Sequence, residues 1–407
     1  MWGGRSCRLP RLNAKRAYNG RDMRFLTIAF FCLPLAALAQ TSGADFLKRS
    51  RFEDIPALVL SNNKLELTVL TSGGALANLI LRDDPAKLSP YWNPSRYARE
   101  TGRKFSGFAM GHFVCVDGFG PVSPEEKDAG LQGHGEAHTL AWETKLAHKS
   151  GSTGTLTQSV KLPILQEVFT RTLRMVDGEN VIYVQSELES LLGFDRPVNW
   201  GEHATLGSPF LEPGVTVVDM PAKRAQTRPD KPGTLPMRLT PGKDFTWPMA
   251  PGANGKKVDV RVTPQQPNSH DHTTSLVDPS RKLVFVTALN PSKHLIFGYI
   301  FRREDYPWIQ SWDNYTPDQR MARGMEFATQ PYDVPRRETV QTNSMFGAPT
   351  YRWLPAKSKI ESRYLLFYAQ APEGFHKVDD VRLDGGKIII EDHKAKKQIT
   401  LDASLPL

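Results

Sequence analysis

One histidine in this sequence has neighbours that suit proton transfer. His203 lies in the segment 199–210 (NWGEHATLGSPF), which follows a strand-like run and ends in glycine and proline. A histidine at the end of a strand can take up or donate a proton near neutral pH, so this context favours an acid/base role. The structural alternative is a histidine that its neighbour Glu202 holds at a sheet edge.

A glutamate in an apolar context is the second candidate. Glu326 lies in the segment 323–331 (RGMEFATQP), which has the character of a strand. Because it is costly to bury an unpaired charge, a carboxylate in this position must be either paired or functional. The alternative to a functional role is a salt bridge to Arg323, Arg336 or Arg337.

A second histidine and two tryptophans suggest groups that hold a ligand. His134 lies in the segment 133–138 (GHGEAH), where the flanking glycines permit close backbone approach. Trp308 and Trp312 are four residues apart among polar groups, in the segment 307–313 (PWIQSWD). Their flat apolar faces suit a sugar ring, and they suit the core of a β-sandwich equally well.

The segment 268–272 (NSHDH) resembles a fragment of a metal site, since imidazoles and carboxylates are good ligands. The same residue types are also common in solvated loops, and no completing ligand is apparent in the sequence. We therefore expect no metal. The sequence has no phosphate-binding loop, no G-x-S-x-G motif and no H-E-x-x-H motif.

The elements that must position these residues are predicted to be β-strands. Alternating or short apolar runs that end in turn residues occur throughout the chain and predict antiparallel strands. No window has the long apolar stripe of an amphipathic helix, and there is no βαβ alternation. The sequence therefore predicts an all-β fold, a large antiparallel sandwich. The predicted strands are 64–70, 75–82, 166–176, 181–189, 215–220, 283–289, 294–301, 363–369, 386–391 and 398–402.

Two segments are predicted to be long loops. Residues 84–133 are rich in glycine, proline and aromatic residues, and we expect them to form the rim of a site. Residues 221–243 are basic and rich in proline, and we expect them to run over the surface. Because the strand patterns on both sides have the same character, residues 40–407 are predicted to form a single domain.

The N-terminal segment has the pattern of a secretory signal. From Met23 the chain reads MRFLTIAFFCLPLAALAQ, with a basic start, an apolar run and small residues before Gln40. Residues 1–39 are thus predicted to be a signal peptide, and the 22 residues before Met23 are consistent with an overextended start. We expect an exported protein, periplasmic or secreted, that does not stay inserted in a membrane after cleavage.

Composition and charge exclude several classes of function. The chain has 407 residues, of which 40% are hydrophobic and 23% charged, so it is an ordinary globular sequence. Residues 1–39 contain seven Lys and Arg residues and one Asp, so their removal lowers the formal charge from +9 to +3. We therefore expect no nucleic-acid binding. The remaining cysteine, Cys115, is expected to be a buried apolar residue.

The order of these motifs resembles one family. A β-rich start is followed by Gly-His-Gly with a later Trp, then by Trp-Gly-Glu-His with Gly-x-Pro-Phe, then by Pro-Trp-x-x-x-Trp and finally by Gly-x-Glu-Phe. Over roughly 57–370 this pattern is similar to the aldose 1-epimerase, or galactose mutarotase-like, superfamily, as a divergent member. The resemblance implies an antiparallel β-supersandwich that binds sugar on one concave sheet face.

The resemblance also implies a reaction, the interconversion of sugar anomers through ring opening. One base and one acid on opposite sides of the same sugar are enough for it, and neither a metal nor an organic cofactor is required. His203 matches the general acid, and His134 matches a histidine that holds the sugar near its ring oxygen. Glu326 is assigned as the base, although the family glutamate stands at the position that Ala328 occupies here. Residues 326 and 328 share one face of a strand.

The remaining assignments concern the ligand and the alternatives. Arg96, or else Arg103, is assigned to hold the substrate, together with Trp308 and Trp312. The expected partner is a small sugar or the sugar end of a glycan, and we expect a monomer. One alternative is an exported carbohydrate-binding protein that lacks turnover. Another is a lyase or a hydrolase on the same scaffold, in which Glu202 and Glu326 would supply the two carboxylates.

Overall fold

The structure is a computed structural model that describes residues 46–105, 107–230 and 233–407. In this part of the chain nearly all regular structure is β-strand, as the period-two patterns predicted. The strands are β1 (Leu47–Phe52), β2 (Ile55–Ser61), β3 (Leu65–Leu70), β4 (Leu76–Leu81), β5 (His112–Val116), β6 (Glu143–Ser150), β7 (Thr153–Leu162), β8 (Glu167–Val176), β9 (Val181–Ser190), β10 (Arg196–Val198), β11 (Trp200–Gly207), β12 (Val217–Asp219), β13 (Ala222–Thr227), β14 (Asp244–Thr246), β15 (Met249–Pro251), β16 (Lys257–Asp259), β17 (Ser269–Val277), β18 (Leu283–Asn290), β19 (Leu295–Arg302), β20 (Trp308–Tyr315), β21 (Ala322–Gly324), β22 (Glu326–Ala328), β23 (Ser344–Met345), β24 (Ala348–Pro349), β25 (Arg352–Leu354), β26 (Lys359–Gln370), β27 (Asp380–Asp384), β28 (Lys387–Asp392) and β29 (Lys397–Asp402). The helices are α1 (Pro94–Glu100), α2 (Pro124–Asp128) and α3 (Arg336–Thr342).

Two antiparallel sheets form the body of the protein. The larger has twelve strands in the order β1-β2-β3-β4-β5-β11-β21-β20-β17-β13-β14, with β22 paired to both β11 and β20. The second has eight strands in the order β12-β18-β19-β26-β9-β8-β7-β6. One hydrophobic core draws buried residues from both sheets, for example Leu67 and Val114 from the larger and Phe169 and Phe297 from the smaller. The strand periodicity therefore produces two packed sheets, because alternate side chains face the shared core.

A third layer covers the outer face of the eight-stranded sheet. Strands β27, β28 and β29 form a three-stranded antiparallel sheet near the end of the chain. Apolar residues such as Ile388 and Ile390 pack there against Phe285, Ile296 and Leu365. Strand β19 is accordingly apolar along almost its whole length, because both of its faces are covered.

The structure contains a strand at each of the ten predicted positions, with small differences at the ends. The two predicted loops need correction. The segment 84–133 contains α1, α2 and the fully buried strand β5, which joins β4 to β11 in the larger sheet. The segment 221–243 contains β13, which pairs with β17. β5 lacks polar alternation because it is buried on both faces, and the polar strand β13 has no apolar stripe to reveal it.

The predicted signal peptide, with its upstream extension, lies outside the described residues. None of the helices in the described ranges combines the length and the apolar character that a membrane crossing requires. The assignment of residues 40–407 to a single domain stays a prediction.

Candidate active site

A cleft lies on the face of the larger sheet that points away from the eight-stranded sheet. It encloses a cavity of about 280 Å³, near the lower end of the range for small-molecule sites. Side chains from central strands form its floor, and the segment before β5 forms one wall, as predicted for a rim. The lining residues are Trp92, Phe105, Ala109, Phe113, His134, His203, His272, Trp312, Glu326 and Asp333.

Strand register brings His203 and Glu326 together. β11 and β22 pair with Glu202 opposite Phe327 and Gly201 opposite Ala328, so the same antiparallel register places residue 203 opposite residue 326. Both side chains face the cleft, and His203 Nε2 lies 3.5 Å from Glu326 Oε1. The other ring nitrogen of His203 lies 3.1 Å from Thr205 Oγ1. The carboxyl and the imidazole are thus adjacent and face a shared space.

No arginine among the described residues forms a salt bridge with Glu326. Arg323 pairs with Asp313 and donates to backbone carbonyls, whereas Arg336 and Arg337 pair with carboxylates on α2 and with Asp117, the residue after β5. The Glu326 carboxyl is almost completely buried, and its Oε1 has no hydrogen-bond donor among the described residues. A buried carboxyl oxygen without a donor is costly in a folded protein, which makes Glu326 a candidate for chemistry.

Gly324 makes room for this carboxyl. A Cβ atom at position 324 would lie 2.3 Å from Glu326 Oε1 and 2.9 Å from its Cδ. Any side chain there would push the carboxyl out of its place beside His203. The glycine two residues before Glu326 is therefore part of the site.

Burial controls the protonation of the pair. Burial raises the pKa of Glu326 well above its usual range; the Asp313 carboxylate raises it further, and Arg228 lowers it. Burial lowers the pKa of His203 well below its usual range, and the nearby His134 lowers it further. This environment therefore favours a protonated carboxyl next to a neutral imidazole, so that the pair shares one transferable proton.

Replacing Glu326 with glutamine is expected to stabilise the protein at neutral pH. Because the folded state raises the pKa of Glu326, its contribution to stability is complete below the ordinary value of 4.5 and is lost as the pH rises. The free energy of unfolding of Glu326→Gln should exceed that of the wild type by about 1.4 kcal/mol per pH unit above 4.5, until the raised pKa is passed. Urea unfolding between pH 4 and pH 8 measures it, with Glu143→Gln as the control because Glu143 is exposed. A pH-independent difference would contradict the assignment.

His134 is presented to the cleft as a hydrogen-bond donor. Its Nδ1 lies 3.2 Å from the backbone N–H of Gly120, which donates to it, so the proton of the neutral ring is on Nε2. The ring lies edge-on to His203, with centroids 5.3 Å apart. Burial and the nearby His138 lower the pKa of His134 to about 4. Gly135 allows this placement, because a Cβ there would lie 2.3 Å from Val116 O.

His272 is a cleft residue that sequence reasoning did not assign to this site. Its Nδ1 lies 3.1 Å from Arg228 Nη1, which can only donate, so its Nε2 donates to Gln310 Oε1 at 3.1 Å. Asp333 forms an ion pair with Arg228 and contributes its carboxylate to the cleft wall. The segment 268–272 was the signal in the sequence that could have identified His272, but it was interpreted only as a fragment of a metal site.

The rest of that segment faces other groups. Asp271 pairs with Arg238, while His270 packs edge-on to Trp312 with ring centroids 5.3 Å apart. Among the described residues, no three His, Cys, Asp or Glu side chains are arranged to hold a metal ion.

The two predicted tryptophans have different environments. Trp312 lines the cavity and meets Trp92 edge to face, with ring centroids 6.1 Å apart, so the two form an aromatic corner. Trp308 is fully buried, packs near Phe346 and donates its indole N–H to Pro349 O at 2.8 Å. Its assignment as a sugar-binding residue needs correction, because it does not line the cleft.

The predicted arginines also lie outside the cleft. The Arg96 guanidinium donates to Ser208 O and lies 3.6 Å from Glu100 Oε1. Neither Arg96 nor Arg103 lines the cavity. Arg96 is on α1, and helical geometry turns its side chain toward the end of β11 rather than toward His203. Arg228 instead contacts two cleft residues, His272 and Asp333.

Glu202 lies on the opposite face of β11 from His203, because successive side chains of a strand alternate. It is fully buried in the core, where His112 Nε2 lies 2.8 Å from its carboxylate and Trp200 donates to it at 3.1 Å. Glu202 therefore cannot act with Glu326 on opposite sides of a ligand. This position excludes the alternative in which these two carboxylates carry out a hydrolase reaction together. The capping of His203 by Glu202 is also excluded.

Solved structures share this architecture. No protein-family model matches the sequence, and no curated protein matches it. A galactose mutarotase-like protein from Clostridium acetobutylicum matches 80% of this chain and 98% of its own, with 12% identity and a TM-score of 0.53. One from Lactobacillus casei matches 77% and 100%, with 14% identity and a TM-score of 0.51. A galactose mutarotase related enzyme from Lactobacillus acidophilus matches 80% and 100%, with 12% identity and a TM-score of 0.52. The predicted antiparallel β-supersandwich is confirmed.

Proposed function

We propose that this chain, which has the galactose mutarotase-like fold, is a sugar isomerase of the aldose 1-epimerase type. The observation that carries the proposal is the pair of His203 and Glu326, a partly exposed imidazole and a buried carboxyl 3.5 Å apart in a cleft. The Glu326 oxygen without a donor is a site for a ligand hydroxyl. His134, Trp312 and the other lining residues supply the donor and the apolar surface that a sugar needs.

The reaction requires two proton transfers at one anomeric centre. A base takes the proton of the anomeric hydroxyl while an acid protonates the ring oxygen, so the bond between C1 and that oxygen breaks and an aldehyde forms. Rotation of the aldehyde and ring closure by the reverse transfers give the other anomer. The resemblance implied a base and an acid on opposite sides of the sugar, whereas Glu326 and His203 lie side by side. Because both oxygens are bonded to C1, adjacent groups can reach both.

The proton that Glu326 and His203 share determines which group acts as the base and which acts as the acid. Transfer of the proton from Glu326 to His203 creates a carboxylate base and an imidazolium acid without changing the charge of the site. Burial excludes water, which would otherwise compete for both groups. His134, with its proton on Nε2, is placed to donate a hydrogen bond to a sugar oxygen. Glu326 takes the role assigned to the base although it stands two residues before Ala328, because both positions lie on the same face of β22 and Glu326 lines the cleft.

The cavity volume favours a single sugar ring as the ligand, either free or at the end of a glycan. We also propose, from the sequence of residues 23–40, that the protein is exported and that it acts on sugars outside the cytoplasm.

Polarimetry tests the proposal. Residues 40–407 are expected to accelerate the equilibration of freshly dissolved α-glucose or α-galactose, and His203→Ala should lose the acceleration. No acceleration with these sugars, together with saturable sugar binding by calorimetry, would favour the alternative of a carbohydrate-binding protein. Neither acceleration nor binding would overturn both.

The glycine beside the base provides a further prediction. Gly324→Ala should lower the rate by about 10²-fold, because displacing a reacting group by about 1 Å costs that much. Gly193→Ala is the matched control, since a Cβ at position 193 meets nothing within 4 Å. A Gly324→Ala protein with the wild-type rate would show that the carboxyl position beside His203 is not the reactive one.

A further inference from the structure

A second cavity lies away from the cleft, between the body of the protein and the loops of the third layer. Its volume is about 680 Å³, within the range of small-molecule sites. The wall on one side comes from β12 and the segment after β16, and on the other from the β26–β27 loop and the β28–β29 turn. The lining residues are Val217, Arg261, Val262, Gly374, His376, Lys377, Asp392, Lys394, Ala395 and Lys397.

The charge of this lining is mostly positive. Four of the lining side chains are permanent cations, His376 is titratable, and Asp392 is the one carboxylate of the set. Asp392 is buried and its oxygens are occupied, because they accept hydrogen bonds from the backbone N–H groups of His376, Lys377 and Ala395. This carboxylate therefore holds the two loops together, and its negative charge offsets part of the positive charge of the lining, notably at Lys377.

Two of the cations have carboxylate partners beside the cavity. Arg261 forms an ion pair with Asp259 at 2.6 Å, and Lys377 forms one with Asp379 at 2.5 Å.

Lys394 and Lys397 have no carboxylate partner among the described residues. The ammonium group of Lys397 donates to the carbonyl oxygen of Glu373, which is a neutral group. Lys394 is exposed at the β28–β29 turn, and the structure gives its ammonium group no partner in the described ranges. Two positive charges with free donor capacity therefore face one cavity, whose floor carries the apolar side chains of Val217 and Val262.

We propose that this cavity binds a small organic oxyanion, a molecule that carries a carboxylate or phosphate group on a compact apolar body. Ammonium groups form strong charge-assisted hydrogen bonds with such oxygens. The two valines provide contact for the carbon skeleton. The site is separate from the cleft of His203 and does not depend on the isomerase function.

Titration calorimetry of residues 40–407 with citrate and with inorganic phosphate tests this site, at one ionic strength that is adjusted with chloride. Saturable binding is expected, and the double variant Lys394→Gln/Lys397→Gln should weaken it by about tenfold or more. Lys396→Gln is the control for the single variant Lys394→Gln, because each removes one positive charge from the same turn and Lys396 is outside the lining. Binding of citrate alone assigns the carboxylate source, and binding of phosphate alone assigns the phosphate source.

Two outcomes would overturn the proposal. One is that neither anion binds saturably, and the other is that Lys396→Gln weakens binding as much as Lys394→Gln does, which would indicate only a diffuse positive field. Glu326→Gln should bind the anions like the wild type, so failure of the isomerase proposal and failure of this one are distinguished.

Discussion

Replacing Glu326 with glutamine is expected to slow protein-catalysed anomer exchange by about 10²–10⁴-fold, the range that general acid/base catalysis contributes. Glutamine has nearly the same shape as glutamate, so the packing beside Gly324 and the distance to His203 are retained. It cannot accept the proton of an anomeric hydroxyl, and it cannot supply the proton that the pair shares. The loss should appear in the rate and much less in sugar affinity.

Saturation-transfer NMR between the two anomeric protons at equilibrium measures this rate, and calorimetry measures the affinity. Glu143→Gln is the control for a nonspecific effect of the substitution, because Glu143 is an exposed residue of the edge strand β6. If Glu326→Gln kept the wild-type rate, the base would be another cleft group, and Asp333 would be the first to examine. A parallel loss of sugar affinity and rate would instead indicate that Glu326 mainly binds the ligand.

Replacing Glu202 with alanine is expected to lower the free energy of unfolding by about 3–5 kcal/mol, the cost of leaving several buried donors unsatisfied and of opening a cavity. The carboxylate lies 2.8 Å from His112 Nε2 and accepts hydrogen bonds from Trp200 and from the hydroxyl groups of Tyr306 and Tyr364. Alanine would leave these buried groups without their acceptor and would also leave a cavity. Urea unfolding at pH 7 measures the loss.

Glu202→Gln is the matched variant, because it keeps the volume and one acceptor oxygen. It should lose much less stability than Glu202→Ala and should keep its sugar affinity, since Glu202 points away from the cleft. A loss below about 1 kcal/mol in Glu202→Ala would show that the buried network is not a stabilising element. A Glu202→Gln protein that folds normally and yet loses all turnover would revive the two-carboxylate interpretation.

The positions of the site residues show where local sequence is informative. His203 and Glu326 were identified because each occupies a strand-like segment in which an ionisable side chain needs a reason to be there. The sequence does not show that these two side chains meet in the cleft, because their meeting depends on the register in which β11 pairs with β22. A slip of one residue would send one of the two side chains into the core.

The wrong assignments of Arg96 and Trp308 and the missing assignment of His272 have a common physical cause. Arg96 and Trp308 were chosen by residue type, but the direction of a side chain depends on how its element packs. α1 carries Arg96 toward Ser208, and the cover around Phe346 buries Trp308. His272 reaches the cleft because β17 pairs with β20, a contact between segments that are distant along the chain.

The sequence by itself determined the ten predicted strands and the class of fold. The alternation of polar and apolar residues in strands such as β8 and β29 is a local property of the sequence, because each strand must present one face to a core. The sequence also indicated that an imidazole and a carboxyl would do the chemistry. The tertiary structure alone decided that Glu326 lies beside His203, that Glu202 lies in the core and that Arg228 approaches the cleft. Those decisions depend on long-range strand pairing and loop packing, which no local pattern of residues encodes.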